Sequence, residues 1–448
     1  MAFTSGCKKS SPVLFQKIKS SHSNIHFKNQ IEEWDGVNVF NFTNYYNGGG
    51  VGIGDFNNDG LNDICFTSNQ KNPELYINKG KFVFENASAS SGLTNGGWMT
   101  GISIVDINND GWPDIYLSMA SHSGIKNSKN KFYINQKTNP VSFKDQAADY
   151  GLDYAGFTTQ TAFFDYDKDG DLDVYMLNSA PDDVNPNTIR PRVDDGSFPS
   201  SDKLFENTGQ NENGIAIFKD VSLAKGITFE GLGLGISLAD FNNDGYTDIY
   251  ASNDFLSNDI LYLNDQGKGF TNIVKSATGH TSMFGMGIDA ADLNNDQRVD
   301  IFQLDMLPED NLRQKKMIAR DDYQKKSTST SERYKYHKQY MRNSLQLNMG
   351  EIASKPIFSE RGLLYGVACT DWSWSVLLAD FDLDGMKDIH VSNGYRKNVT
   401  DLDFINYYKN QNIFGDKTAQ EKFRKEFVDQ IPEVKLYNYA FKAHKNEP

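Results

Sequence analysis

Cysteine is nearly absent from these 448 residues, and the three present, Cys7, Cys65 and Cys369, cannot build a disulfide framework. No apolar run approaches the ~18 residues of a membrane-crossing helix. Basic charge is in deficit, with 45 Lys and Arg against 59 Asp and Glu and a formal charge of −14. General binding to nucleic acid or to an anionic membrane is therefore not expected, because both need a positive field. No nucleophile elbow, zinc motif or phosphate loop is present. The 7 histidines are scattered singly apart from His22 and His26, whose leader-like surroundings argue against a metal site.

Aromatic residues make up 13% of the chain and glycine is plentiful at 37, with recurrent Gly, Asp and Asn turn clusters. That balance favours strands over helices. Cys65 and Cys369 sit in apolar, strand-like runs and read as small buried hydrophobes. Cys7 follows Phe3-Thr4-Ser5-Gly6 and precedes a polar run, which resembles the end of a lipoprotein signal; the bland alternative is an ordinary cysteine in a leader.

The stretch DFNNDGLND, Asp55 to Asp63, has the ligand spacing of a calcium loop at positions 1, 3, 5 and 9 and a Gly at 6, but Phe66 stands where an EF-hand has its bidentate Glu. It recurs as DINNDGWPD from Asp106, DYDKDGDLD from Asp165, DFNNDGYTD from Asp240, DLNNDQRVD from Asp292 and DFDLDGMKD from Asp380, at intervals of 51, 59, 75, 52 and 88 residues. Short apolar runs bracket every copy, so the loop joins two strands and has no helix pair to reorient. A third strand near an Asn and a Phe-containing fourth strand follow in most units. Four short strands per ~50 residues is the size of one propeller blade.

A hard cation takes 6–8 oxygens. The first loop offers Asp55, Asn57, Asp59 and Asp63 through side chains and Leu61 through its carbonyl. The corresponding sets are Asp106, Asn108, Asp110, Trp112 and Asp114; Asp165, Asp167, Asp169, Asp171 and Asp173; and Asp240, Asn242, Asp244, Tyr246 and Asp248. The last two are Asp292, Asn294, Asp296, Arg298 and Asp300, and Asp380, Asp382, Asp384, Met386 and Asp388. Without a cation these carboxylates repel one another. Up to six Ca²⁺ are expected, and roughly +12 of bound charge would bring the chain to about −2. Gln297 replaces the Gly at position 6 of the fifth loop, so that site should be the weakest or be distorted.

These residues resemble the FG-GAP or VCBS-repeat β-propellers, relatives of the integrin α head, and most nearly the bacterial surface proteins of the cartilage acidic protein type. The resemblance runs from about Ile25 onward and rests on YNGGGVGIGDFNNDG, TQTAFFDYDKDGDLD, SNDFLSNDILYLN, LDMLPED, DWSWSVLLADFDLDG and SNGYRKNVTDLDF. It implies an all-β, calcium-stabilised propeller of four-stranded blades outside the cytoplasm, seven-bladed in the family. No ASPIC/UnbV module accompanies it here. The six loops leave two closures open. Leu436–Phe441 and the Phe-strand-like Ile25–Asn29 could share one blade and close a ring of six, or the chain is part of a ring of seven. On this reading residues 1–24 are leader or linker and 25–448 the propeller, with insertions at 307–342 and 395–435.

The first insertion holds ten Lys or Arg against five Asp or Glu, interleaved with Tyr323, Tyr334, Tyr336 and Tyr340 and ending at Arg342. It could grip an acidic glycan, or it could be a flap paired to its own acidic host. The second reads as two helices, with Thr400 as one cap and Asp416 or Thr418 as the other; Phe423, Phe427 and Ile431 make one apolar stripe. Trp372 and Trp374 share a strand face and read as a sugar platform or as core. Asp254 and Asp259 are further ligands or turn caps. The expected function is a non-enzymatic binding or adhesion scaffold for glycan or protein at the bacterial surface, tethered by a lipid on Cys7 rather than by a transmembrane span. The alternative is a polysaccharide lyase or hydrolase working in the channel.

Overall fold

The computed structural model describes residues 15–32, 42, 44–122, 128–181, 184–317, 330–403, 406 and 430–444. Cys7, Tyr323, Asp416, Thr418, Phe423 and Phe427 lie outside the described residues.

Each repeat folds as an antiparallel meander. The first blade comprises β1 (Val51–Gly54), β2 (Asp63–Phe66), β3 (Glu74–Asn78) and β4 (Phe84–Asn86). The second comprises β5 (Trp98–Val105), β6 (Asp114–Ala120), β7 (Lys131–Asn135) and β8 (Phe143–Asp145). β9 (Thr158–Phe164), β10 (Asp173–Asn178), β11 (Lys203–Gln210) and β12 (Ala216–Asp220) form the third. The fourth holds β13 (Gly233–Ala239), β14 (Asp248–Asn253), β15 (Ile260–Asn264) and β16 (Phe270–Asn272). A short parallel pair, β17 (Thr281–Ser282) with β20 (Gln339–Tyr340), flanks the fifth blade, which is β18 (Ile288–Ala291), β19 (Asp300–Gln303), β21 (Ser344–Ile352) and β22 (Lys355–Glu360). The sixth has three strands among the described residues, β23 (Ser373–Ala379), β24 (Asp388–Asn393) and β25 (Tyr439–Phe441). Helix among the described residues is confined to short turns such as Ser20–Ser23, Val274–Ala277 and Asn311–Lys316.

The blades stand in a propeller-like ring, the first strand of each of the first five packed on that of the next. Small residues permit the close approach. A Cβ on Gly52 would come within 2.7 Å of Ile104, and one on Gly101 within 2.6 Å of the Thr159 carbonyl. Apolar clusters fill the wedges between blades, as where Phe56, Leu75 and Ile77 of the first meet Ile115, Tyr133 and Phe143 of the second. A fourth-strand Phe closes the wedge from outside between the first and second and between the fourth and fifth blades, with Phe143 edge-on to Phe56 at 5.7 Å and Phe358 to Phe241 at 6.0 Å.

Leu436–Phe441 supplies the third strand of the sixth blade, as its pattern suggests. Ile25–Asn29 differs from the expected Phe-strand: it joins no sheet and lies along the first blade. There Phe27 stacks on Phe66 at 4.7 Å, the His26 N–H donates to Tyr76 Oη at 3.3 Å, and Asn29 Nδ2 donates to Asn69 Oδ1 at 2.7 Å. The Phe27 ring is thereby committed to the first blade. Phe15 meanwhile packs edge-on to Phe381 of the sixth blade at 6.1 Å. At this seam Val51, Ile53 and Leu377 stay more than half exposed, at 57%, 59% and 54%.

Topology sorts the connections. All six acidic loops join first to second strands and share one face of the ring. The described parts of the insertions at 307–342 and 395–435, and of the long connection from 179 to 202 in the third blade, leave from and return to the opposite ends of the strands, joining second to third strands.

Candidate metal loops

Every loop is wound by two left-handed residues. Position 4 is Asn58, Asn109, Lys168, Asn243, Asn295 or Leu383, with φ between 52° and 63°. Position 6 is Gly60, Gly111, Gly170, Gly245 or Gly385, with φ of 83° to 97°. Gln297 adopts the same turn at φ 69°, and its N–H still reaches Asp292 Oδ2 at 2.8 Å. The fifth loop thus keeps its shape and carries the strain of a Cβ in the left-handed region.

This winding turns backbone N–H groups inward. Asp55 accepts from Asp59 N at 3.0 Å and from Gly60 N at 2.7 Å; Asp106, Asp240, Asp292 and Asp380 are held the same way. Asp165 accepts from Gly170 N at 3.1 Å. The position-7 residues Leu61, Trp112, Asp171, Tyr246, Arg298 and Met386 each donate their N–H to the position-5 carboxylate. Position 9 is a buried pin between loop and sheet. Asp63 accepts from Phe56 N at 2.9 Å and from Asn78 N, on the third strand, at 2.7 Å. Asp114, Asp173, Asp248 and Asp300 repeat both bonds, and Asp388 accepts from Ala443 N at 2.9 Å.

Position 3 decides the charge. Asn57, Asn242 and Asn294 each donate Nδ2 to the position-5 carboxylate at 3.0 Å. Asn108 has the same place in the second loop, where Lys137 pairs with Asp110 at 2.8 Å. Asp replaces Asn in the third and sixth loops, and there carboxylates converge. One oxygen each from Asp165, Asp167 and Asp173, and likewise from Asp380, Asp382 and Asp384, lie within 4.8 Å of one another. Buried oxygens without a hydrogen-bond partner occur in these same two loops, at Asp165 Oδ1, Asp171 Oδ1 and Asp382 Oδ1. In the sixth, Lys442 pairs with Asp382 and, at 3.3 Å, with Asp384. The third brings five carboxylates together, and no lysine or arginine among the described residues forms a salt bridge with them.

Burial raises Asp63, Asp114, Asp173, Asp248 and Asp300 against the pull of their backbone N–H partners, and the other loop acids push the same way. Asp63 and Asp300 rise to about 6, and Asp114, Asp173 and Asp248 to about 7. Asp171 rises to about 6 through burial and then its neighbours Asp169, Asp167 and Asp165. Converging carboxylates with orphaned oxygens fit a hard divalent cation bound to oxygen. The residues that would hold it are the position 1, 3, 5 and 9 side chains.

One role was not legible from the motif. The third-strand Asn, visible in the sequence as an Asn near an aromatic, donates Nδ2 to the position-2 carbonyl of the preceding blade: Asn135 to Phe56 at 3.0 Å, Asn264 to Tyr166 at 2.8 Å and Asn348 to Phe241 at 2.9 Å. Loops are also linked directly, Asn58 to the Gly111 carbonyl and Asn295 to that of Gly385.

The other candidate residues are engaged within the chain. Arg342 pairs with Glu360 at 3.0 Å and contacts His280; Tyr336 is buried, and Tyr334 is half-buried beside Arg333. Arg313 grips Asp371, and Lys316 lies 3.4 Å from Asp403. Trp372 is 8% exposed, with Tyr395 stacked on it at 3.9 Å, and Trp374 lies parallel to the pair. Those rings belong to an apolar cluster with Phe42, Tyr45 and Trp98. Asp259 accepts from Asn253 N, Tyr250 Oη and Gln303 Nε2, while Asp254 accepts from Phe255 N. Asp254 thus bonds within its own turn, and Asp259 also ties the fourth blade to Gln303 of the fifth. Ile431 is buried and His22 meets the Lys81 carbonyl at 2.9 Å. Cys65 is buried, its thiol pushed up to about 12, and Cys369 is half-buried where full burial is the expectation.

A family model described as FG-GAP-like repeat matches residues 23–117 and 240–302. Human cartilage acidic protein 1 is 26% identical over 232 residues, 51% of this chain and 31% of that protein. The Xenopus tropicalis protein of the same name is 27% identical over 216 residues, 47% of this chain and 29% of its own length. The matched region thus spans about a third of the length of these relatives. Among solved structures, the exotype rhamnogalacturonan lyase YesX aligns over 78% of this chain and 54% of its own, with 12% identity and a TM-score of 0.37.

Proposed function

From the premise that this chain is a β-propeller of FG-GAP-like repeats, we propose that it is a calcium-stabilised extracellular scaffold that binds glycan or protein at the bacterial surface. The observation that carries this reading is the pair of carboxylate clusters with orphaned oxygens in the third and sixth loops. Such a cluster would gain from a divalent cation the charge compensation that no salt-bridging side chain among the described residues supplies at the third loop. Rigid loops on one face leave the period-breaking insertions of the opposite face free to diverge, and binding surfaces concentrate in such connections. A lipid on Cys7 would tether the domain outside the cell.

The test is equilibrium binding to a panel of acidic glycans in calcium and in EDTA, with parallel assays for new reducing or unsaturated ends. Calcium-dependent binding without turnover is the expected result. Appearance of unsaturated ends would replace the scaffold by the lyase reading, and failure to bind any glycan would move the ligand to the protein class.

A further inference from the structure

The long connection from 179 to 202 carries two arginines in opposite circumstances. Arg190 commits both terminal nitrogens to Glu230, with Nη1 donating to Oε1 at 2.9 Å. Glu230 is filled by this pair and by the Val193 N–H at 2.8 Å. Arg192, two residues on, holds its guanidinium 4.8 Å over the Phe229 ring and forms no hydrogen bond or salt bridge among the described residues. Its Nε and Nη2 are buried without an acceptor. Those two nitrogens make the side-on fork that grips both oxygens of a carboxylate elsewhere in this chain: Arg313 donates Nε to Asp371 Oδ2 at 2.5 Å and Nη2 to Oδ1 at 3.0 Å. A buried charged donor left unfilled forfeits hydration with no return, so the fork at Arg192 calls for an acceptor. Nη1, equally unbonded, is not buried, and a ligand enters from that side.

We infer that Arg192 is the recognition residue of an acidic-glycan site at the strand ends opposite the acidic loops, its guanidinium taking the two oxygens of a uronic-acid carboxylate. The inference rests on the scaffold reading above and gives it a ligand and a place. The surroundings are basic in an otherwise acidic chain. Lys275, on the exposed side of the turn Val274–Ala277, donates Nζ to the Lys335 carbonyl, and burial followed by Arg192 and Lys335 lowers its pKa. Neither lysine forms a salt bridge among the described residues. The carboxylates that act on Arg192 are Glu230, which Arg190 fills, and Asp194, which no salt bridge joins to it. Tyr336 is buried beside Glu230, Arg190 and Arg192 and makes no hydrogen bond through Oη. A free hydroxyl next to a free guanidinium fits a ligand that carries hydroxyls beside its carboxylate. A uronic acid does so and an Asp or Glu side chain does not. Acids repeated along such a glycan would then meet the field of Lys275 and Lys335.

The probe is a fluorescently labelled tetragalacturonate, titrated into the full chain in calcium and followed by anisotropy, with its methyl ester and a tetraglutamate peptide alongside. Saturable binding of the free acid is expected, with the ester at least about tenfold weaker. Arg192→Lys keeps the charge and loses the fork, and should weaken tetragalacturonate at least about tenfold. The melting midpoint of the ligand-free variant should stay near that of the parent, because the guanidinium has no protein acceptor to lose. Should that variant fail to fold, the exposed Lys275→Gln, expected to weaken binding severalfold, decides in its place. No saturation at millimolar tetragalacturonate, equal binding by parent and variant, or tetraglutamate binding as tightly as the sugar overturns the inference. Equal binding by parent and variant leaves the scaffold reading standing. Binding and melting that are both indifferent to EDTA would instead overturn the calcium scaffold and leave the Arg192 site.

Discussion

Asp167→Asn should move the apo and calcium-loaded forms in opposite directions. Three carboxylate oxygens of the third loop lie within 4.8 Å of one another. At that separation each pair of full charges costs about 1 kcal/mol at the dielectric of water and about 3 kcal/mol at an effective value near 20. Three pairs give roughly 3–10 kcal/mol of repulsion, which the loop relieves in part by holding protons: burial and Asp169 raise Asp167, and Asp171 and Asp173 reach about 6 and about 7. Replacing Asp167 by Asn removes two of the three pairs and restores the amide that bonds position 5 in other loops. The calcium-free protein should gain about 1–3 kcal/mol. The same change removes a ligand, so the calcium-induced gain at this loop should shrink.

For a site with calcium at about 100 times its dissociation constant that gain is about 2.7 kcal/mol. A chain of this length unfolding as one unit has an entropy near 0.9 kcal/mol/K, so one site is worth about 3 °C and six about 17 °C. Differential scanning calorimetry of both proteins, stripped of metal and then in millimolar calcium, reads these shifts, with magnesium at equal ionic strength as control. A parent midpoint unmoved by calcium, or a variant less stable than the parent in EDTA, would refute the reasoning.

Gln297→Gly should stabilise the chain by about 1 kcal/mol, because Gln297 holds φ 69° in a turn the other loops give to Gly; the urea midpoint measures it. Gly101→Ala should cost about 1–3 kcal/mol and Gly52→Ala less, since the new methyl meets the rigid Thr159 carbonyl in the first case and the mobile end of Ile104 in the second. Their denaturation midpoints compared side by side check the order. Asp202, which accepts from Tyr175 Oη and Asn178 N, is raised by burial from 3.8 to about 7. The folded state then binds the extra proton between those values, so stability attributable to this group falls as pH rises from the lower value through the upper one; Asp202→Asn should flatten that part of the stability profile.

The repeat was legible because a hairpin crossing needs the same residues each time it is made: left-handed positions for Asn and Gly, inward N–H groups for an acid at position 1, a buried acid at position 9. Spacing of this kind is local, so it survives in one dimension. The insertions were equally plain as breaks in the period, but the partners of Arg313, Arg342 and Trp372 were not, because Asp371, Glu360 and Tyr395 lie 58, 18 and 23 residues away.

What the sequence alone determined was the blade: strand order, loop chemistry and the sorting of loops and insertions to opposite faces follow from covalent order and the alternation of an antiparallel meander. What tertiary structure decided was how blades meet. The Asn that bridges to the preceding blade, the glycines that let first strands approach and the course of Ile25–Asn29 all depend on which surfaces are brought together by segments far apart in the chain. Burial and pairing between repeats are pairwise properties of distant segments, and no periodicity within a single segment encodes them.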